Sequence, residues 1–243
     1  FDKIASKHQV VIVRINYRLG PFGWFTHPAI QDLQEGIDKT SNFGTLDIIA
    51  ALKWVKNNIS LFGGDPNNVT IFGESAGGHN VYSLIASKKA DGLFHKAISM
   101  SGYTTSISTK DAYKQSKRSA TSDFTSWEVV ERLTNNNQSN LSKKEIRDML
   151  LNMPATEFFE IYANRESYQE IPLLTADNIV ISEIGLRKSL SETNLINNVP
   201  VIAGSNADEV KLWLATAEYF VDLDYSFLGS IFGIPKVVLN NEE

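Results

Sequence analysis

An α/β fold with a mostly parallel sheet is what this sequence predicts, and three features predict it. The run VVIVRINY at 10–17 is β-branched and apolar on both faces, as a strand covered by layers on either side must be. Beyond it, short apolar runs alternate with helical patterns, which builds a sheet joined by crossover helices. The chain is 243 residues long, enough to bury a large core.

The elements follow in order. The run at 10–17 is the first expected strand. Residues 19–42 carry Gly20, Pro21, Gly23, Pro28 and scattered aromatics, and so predict a long irregular connection. Ile48, Leu52, Val55 and Ile59 recur at helical spacing, which predicts an amphipathic helix over 45–59. FGGDPNN at 62–68 is a turn cluster. A second strand is expected at 69–72, a helix from 76 to about 87, and a third strand at 97–101 (AISMS).

After Tyr103 the texture changes. Residues 104–170 are polar with helical patterning, and predict a helical insertion on the sheet, forming a wall over a pocket. Thr125 with Glu128, and Ser142 with Glu145, have capping-box spacing. Ile146, Met149 and Leu150 form a short apolar stripe, and 134–142 reads as a polar loop. VPVIA at 199–203 is a fourth expected strand, followed by GSNADE. There is no internal repeat.

Composition narrows the function. With 23 basic and 28 acidic side chains the net charge is −5, which disfavours a nucleic-acid partner. No apolar run reaches the length of a membrane span. There is no cysteine, so neither a disulfide framework nor a thiolate metal site is available, and any redox compartment suits the chain. N-x-S/T sequons stand at Asn58, Asn68, Asn137 and Asn140, and matter only in a secreted eukaryotic protein.

The chemically informative stretch is IFGESAGGHN at 71–80. A G-x-S-x-G between strand and helix holds its serine on a strained turn, with the hydroxyl lifted above the sheet edge. The glycines permit strand and helix to pack closely. The helix N-terminus favours negative charge at the turn, and the N–H of Ala76 is placed to donate to an oxyanion. The plainer alternative is a glycine-rich connection without chemistry.

FGGDPNNVTIFGESAGG at 62–78 resembles the signature of type-B carboxylesterases, the cholinesterase-like branch of the α/β-hydrolase fold. VVIVRINYRLGPFGW at 10–24, SNFGTLDIIAALKWVKNNI at 41–59 and GLFHKAISMSG at 92–102 resemble further blocks of that family, in its order. IPLLTADNIV at 171–180 and VIAGSNADE at 201–209 resemble later blocks more loosely.

The resemblance implies one incomplete α/β-hydrolase domain over 1–243. Its parts would be a sheet core with the nucleophile elbow (1–104), a helical insertion (105–170), and a return to the sheet with an acid loop (171–243). It implies a serine hydrolase of small-molecule carboxylic esters, working through an acyl-enzyme and needing neither cofactor nor metal. Ser75 would be the nucleophile and Ala76 an oxyanion-hole donor. Glu74 would be either a supporting acid or a solvated spacer. Glu209 would be the triad acid, with Asp208 as its rival, although Val210 stands where the family usually has Gly. Asn42, Gly44 and Asp47 would be turn and helix-start residues, Asp47 suiting the helix dipole. Ser101 and Gly102 would close the third strand. Phe22, Trp24 and Phe25 would line a pocket or simply join the core.

Triad order in this fold is Ser, acid, His. His8, His27, His79 and His95 all precede Glu209. His79 lies one helical turn after Ser75 and is expected to project along the helix flank, away from the serine; the other three have structural readings. Hence the expectation of an internal fragment lacking the triad His and the upstream oxyanion loop, nearly inert alone. The competing class is a non-catalytic, cholinesterase-like binding or adhesion module.

Overall fold

The computed structural model describes residues 1–113, 125–163, 172 and 174–209, together with the backbone of 221–224 and 236–239. The chain divides into two units, Phe1–Ile202 and Ala203–Glu243.

Unit 1 opens with α1 (Asp2–His8), closed by Gln9 in the left-handed region at φ 52°. The strand expected at 10–17 does not form. A strand exists only where a second backbone completes its hydrogen bonds, and no described residue does so here. Val10, Val11, Val13 and Ile15 are exposed rather than buried. The connection at 19–42 is irregular as expected, but contains α2 (Gly20–Trp24) and α3 (Pro28–Gln31). Each has a proline in its first turn, where the missing N–H costs nothing.

The helix expected at 45–59 is α4 (Phe43–Asn58), which buries Ile48, Ile49, Leu52 and Val55. Next come β1 (Thr70–Glu74), α5 (Ala76–Ile85) and β2 (Lys96–Met100). β1 and β2 are parallel, with Ile71 opposite Ala97 and Glu74 opposite Met100. Helix α5 is the crossover between them and packs on both strands. The main core joins Ile48, Ile49 and Leu52 of α4 to Ile71, to Val81, Leu84 and Ile85 of α5, and to Leu93, Phe94 and Ala97. Each such aliphatic side chain contributes about 1.5–3 kcal/mol by leaving water. This core holds the β1–α5 junction in place.

The described part of the segment 104–170 is largely helical; 114–124 and 164–170 of it lie outside the described residues. A short strand, β3 (Ile107–Ser108), leads into α6 (Thr109–Tyr113), then α7 (Ser126–Leu133), α8 (Lys143–Asn152) and α9 (Ala155–Ala163). Both capping boxes are present: Thr125 caps α7 with Glu128, and Ser142 caps α8 with Glu145. Ile146 and Val130 pack with Ala29, Phe25, Met149 and Leu150, so the apolar stripe of α8 seats that helix on α3. Then β4 (Thr175–Ala176) pairs in parallel with β3, a pairing too short to read from the sequence. α10 (Leu186–Ser189) leads to β5 (Val201–Gly204), and the sheet order is β1-β2-β5.

In the second unit β6 (Val221–Asp224) and β7 (Lys236–Leu239) pair antiparallel, with Val221 opposite Leu239. Among the described residues no helix is long and apolar enough to cross a membrane.

Candidate active site

The end of β1 hands the chain to α5 through one residue, Ser75. Its backbone sits at φ 54°, ψ −115°, outside the regions an L-residue prefers. Such a conformation costs of the order of 1–3 kcal/mol and persists only where its surroundings impose it. Two backbone bonds impose it here. Ser75 N–H donates to the Met100 carbonyl at 2.9 Å, extending the β1–β2 ladder by one step, and the Ser75 carbonyl accepts from His79 N–H at 2.9 Å, the first bond of α5.

The glycines make the bend sterically feasible, though not as the motif suggests. A Cβ on Gly73 would lie 2.4 Å from the carbonyl carbon and oxygen of Gly77, so only glycine fits. Gly77 itself faces open space, with nothing within 4 Å of its would-be Cβ. The second close approach belongs to Gly78, whose Cβ would sit 2.8 Å from the Gly102 Cα and 3.0 Å from the Met100 carbonyl oxygen. The doubled glycine before His79 was its sequence signal.

Ser75 is half-buried at the junction of β1 and α5. Ala76 is exposed at the first position of α5. Its N–H precedes the first intrahelical bond and has no backbone acceptor among the described residues. The α5 dipole adds partial positive charge there. Glu74 is exposed at the last position of β1. Ser101, one step past β2 and beside the elbow, also has positive φ, at 50°. The structure thus brings Glu74, Ser75, Ala76 and Ser101 together at the carboxyl ends of two parallel strands. Glu209 belongs to the second unit, where its Oε1 accepts from Asn206 N–H and Nδ2, both at 3.0 Å.

The four histidines have other employment. His79 is buried; its Nε2 lies 2.8 Å from the Thr105 carbonyl oxygen and its ring stacks on Tyr103 at 4.4 Å. Burial lowers its pKa, and the bond to Thr105 partly offsets this. His27 is buried at the start of α3, its Nδ1 accepting from Ala29 N–H at 3.1 Å and its Nε2 2.8 Å from Gln138 Oε1. His95 Nδ1 accepts from Val69 N–H at 3.2 Å at the entrance to β2. His8 ends α1.

Sequence reasoning missed two supports of the site's scaffold. Asp47 does not serve the start of α4. It takes three hydrogen bonds from Arg18: from N–H at 3.0 Å, Nε at 2.8 Å and Nη2 at 2.7 Å. The Arg18 guanidinium holds its carboxyl below the ordinary value. Asn42, fully buried, binds Thr175 at both N–H and carbonyl, and also reaches Asp177. Partners 29 and 133 residues apart leave no local pattern to detect. Of the aromatics, Trp24 packs edge-on to Tyr17 and Phe25 to Phe158, an ordinary core role, whereas Phe22 is 40% exposed against Phe158 and Phe159.

The carboxylesterase family model matches residues 2–226. The chain belongs to the carboxylesterase family. Among curated carboxylesterase relatives, liver carboxylesterase 1F of Rattus norvegicus is 33% identical over 253 residues, covering 97% of this chain and 42% of that protein. Para-nitrobenzyl esterase of Bacillus subtilis (strain 168) is 50% identical over 111 residues, 46% of this chain and 22% of that one. Among solved structures, carboxylesterase EST55 of Geobacillus stearothermophilus superposes with a TM-score of 0.68 at 29% identity, over 89% of this chain and 41% of that one. A PNB esterase superposes with a TM-score of 0.65 at 30% identity. The α/β-hydrolase fold of this member of the carboxylesterase family is therefore established. The chain spans at most about two fifths of the length of these relatives.

Proposed function

We propose that Ser75 is the nucleophile of a carboxylic ester hydrolase. Its hydroxyl attacks the ester carbonyl, the alcohol leaves, and water releases the acyl group from the serine. The observation that carries this is the backbone of Ser75 at φ 54°, ψ −115°, held between β1 and α5 by the bonds of its own N–H and carbonyl. A connection with no chemical role has no reason to hold a non-glycine residue in so costly a conformation.

In this proposal Ala76 N–H donates to the oxyanion, assisted by the α5 dipole. Glu209 is the acid that orients the base, and Glu74 supports the elbow from the end of β1. None of the four histidines is the base: His79 and His27 spend their ring nitrogens on Thr105, Ala29 and Gln138. Small carboxylic esters are the substrates, and a para-nitrobenzyl ester is a suitable probe given the relative that bears that name.

The test is a fluorophosphonate probe on the full-length protein, with peptide mapping of the adduct. Labelling at Ser75, abolished in Ser75→Ala together with ester hydrolysis, is the expected result. A protein left unlabelled and without hydrolysis would be the binding module instead.

A further inference from the structure

Histidine 79 is a buried side chain that the proposed chemistry does not use, and it stands one turn from the elbow. Three observations place it. Its backbone N–H closes the first turn of α5 on the Ser75 carbonyl at 2.9 Å. Its ring Nε2 lies 2.8 Å from the Thr105 carbonyl oxygen. Its ring lies flat on Tyr103, with centroids 4.4 Å apart and planes 11° from parallel. A carbonyl oxygen only accepts, so Nε2 carries the proton in this bond.

Thr105 and Tyr103 belong to the segment that leaves β2 beside the elbow. That segment begins with Ser101, in positive φ, and Gly102, whose backbone touches Gly78. Met100, one residue earlier, accepts the Ser75 N–H. The chain at 100–105 therefore forms one wall of the elbow. Ser99 Oγ, donating to the Gly78 carbonyl at 3.2 Å, is a second side-chain hydrogen bond between β2 and α5.

Resting on the assignment of Ser75 as nucleophile, we infer that His79 is a positioning residue for it. One imidazole clamps the 101–105 segment to the first turn of α5, and so fixes the wall against which the Ser75 hydroxyl and Ala76 N–H are aimed. The backbone of residue 79 tethers Ser75 from below while its side chain tethers the neighbouring segment from the side. A shift of about 1 Å in such a constellation costs of the order of a hundredfold in rate. Acting through geometry, His79 affects the rate of the chemical step and leaves ester binding largely untouched.

Two measurements on the full-length protein test this, using His79→Ala, His79→Gln and His79→Phe. The first is the saturation kinetics of fluorophosphonate labelling. His79→Ala is expected to lower the limiting rate by about tenfold or more, with the half-saturating concentration changed less than about twofold. His79→Gln keeps a donor for the Thr105 carbonyl and is expected to recover most of the rate; His79→Phe keeps the stack without the donor and recovers less. The second is hydrogen exchange in the peptide spanning 101–106, which is expected to speed up in His79→Ala and His79→Phe and to return towards wild type in His79→Gln. Unchanged exchange in folded His79→Ala overturns the clamp, as does a labelling defect confined to the half-saturating concentration. Wild-type protein that fails to label overturns the nucleophile assignment instead, while the exchange data still decide whether His79 holds the segment.

Discussion

Gly73 and Gly77 touch backbone to backbone across the elbow: a methyl group on Gly73 would lie 2.4 Å from the Gly77 carbonyl. The relationship is one-sided, because a methyl on Gly77 meets nothing within 4 Å. Gly73→Ala must push β1 and α5 apart at Ser75, and is expected to cost about 2–4 kcal/mol and most of the labelling at Ser75. Gly77→Ala sits in the first turn of a helix, and is expected to be neutral or stabilising by up to about 1 kcal/mol. Urea denaturation of the two variants side by side checks the contrast, and equal losses would contradict it.

His27 predicts a loss of stability in mild acid. Burial holds its pKa below the ordinary 6.5, and its partners admit only one proton: Nδ1 already accepts from Ala29 N–H, so Nε2–H is the donor to Gln138. The unfolded chain binds more protons than the folded one between the lowered folded value and 6.5. The stabilisation from this residue is therefore full above 6.5 and is lost as pH falls below it. His79, also lowered by burial, adds in the same direction. Unfolding free energies at pH 7.5 and pH 5 are expected to differ in wild type, less in His27→Gln, and less again with His79→Gln added.

Asn42 is a larger stake. Removing its amide in Asn42→Ala strands the buried Thr175 N–H and carbonyl, which it now bonds at 3.0 and 2.8 Å, and is expected to cost about 2–4 kcal/mol. Asn42→Asp is expected to be worse, because it sets a second carboxylate against Asp177. Chemical denaturation of the pair would reveal the ordering, and an Asp variant as stable as wild type would refute it.

The Arg18–Asp47 pair is expected to matter less than its three bonds suggest. Its side chains are 50% and 26% exposed, so solvent screens it, and Asp47→Asn should cost no more than about 1 kcal/mol. The cost should shrink further in molar salt. A thermal melt at low and high ionic strength measures this, and a salt-independent loss of several kcal/mol would argue against it.

Much of this protein was legible as text. Periodicity located α4, α5, β1 and β2, since each is set by neighbours within a few residues and by one apolar face. The capping boxes at Thr125 and Ser142 were readable for the same reason: donor and acceptor lie three residues apart. So was the elbow at Ser75, whose glycines, preceding strand and following helix are contiguous. What only the tertiary structure decided was everything that depends on a distant partner. The apolar run at 10–17 has every local mark of a strand, yet β structure is a property of pairs of backbones, and no described residue pairs with it. Asp47 looked like a helix-start residue until Arg18 arrived from the preceding segment. Gly78, not Gly77, proved to be the second close contact because Gly102 comes in from the segment that follows β2. His79 became a clamp only once folding had brought Thr105 and Tyr103 against it. Local preference is written in sequence order, whereas packing and hydrogen-bond partnership are settled by which segments meet.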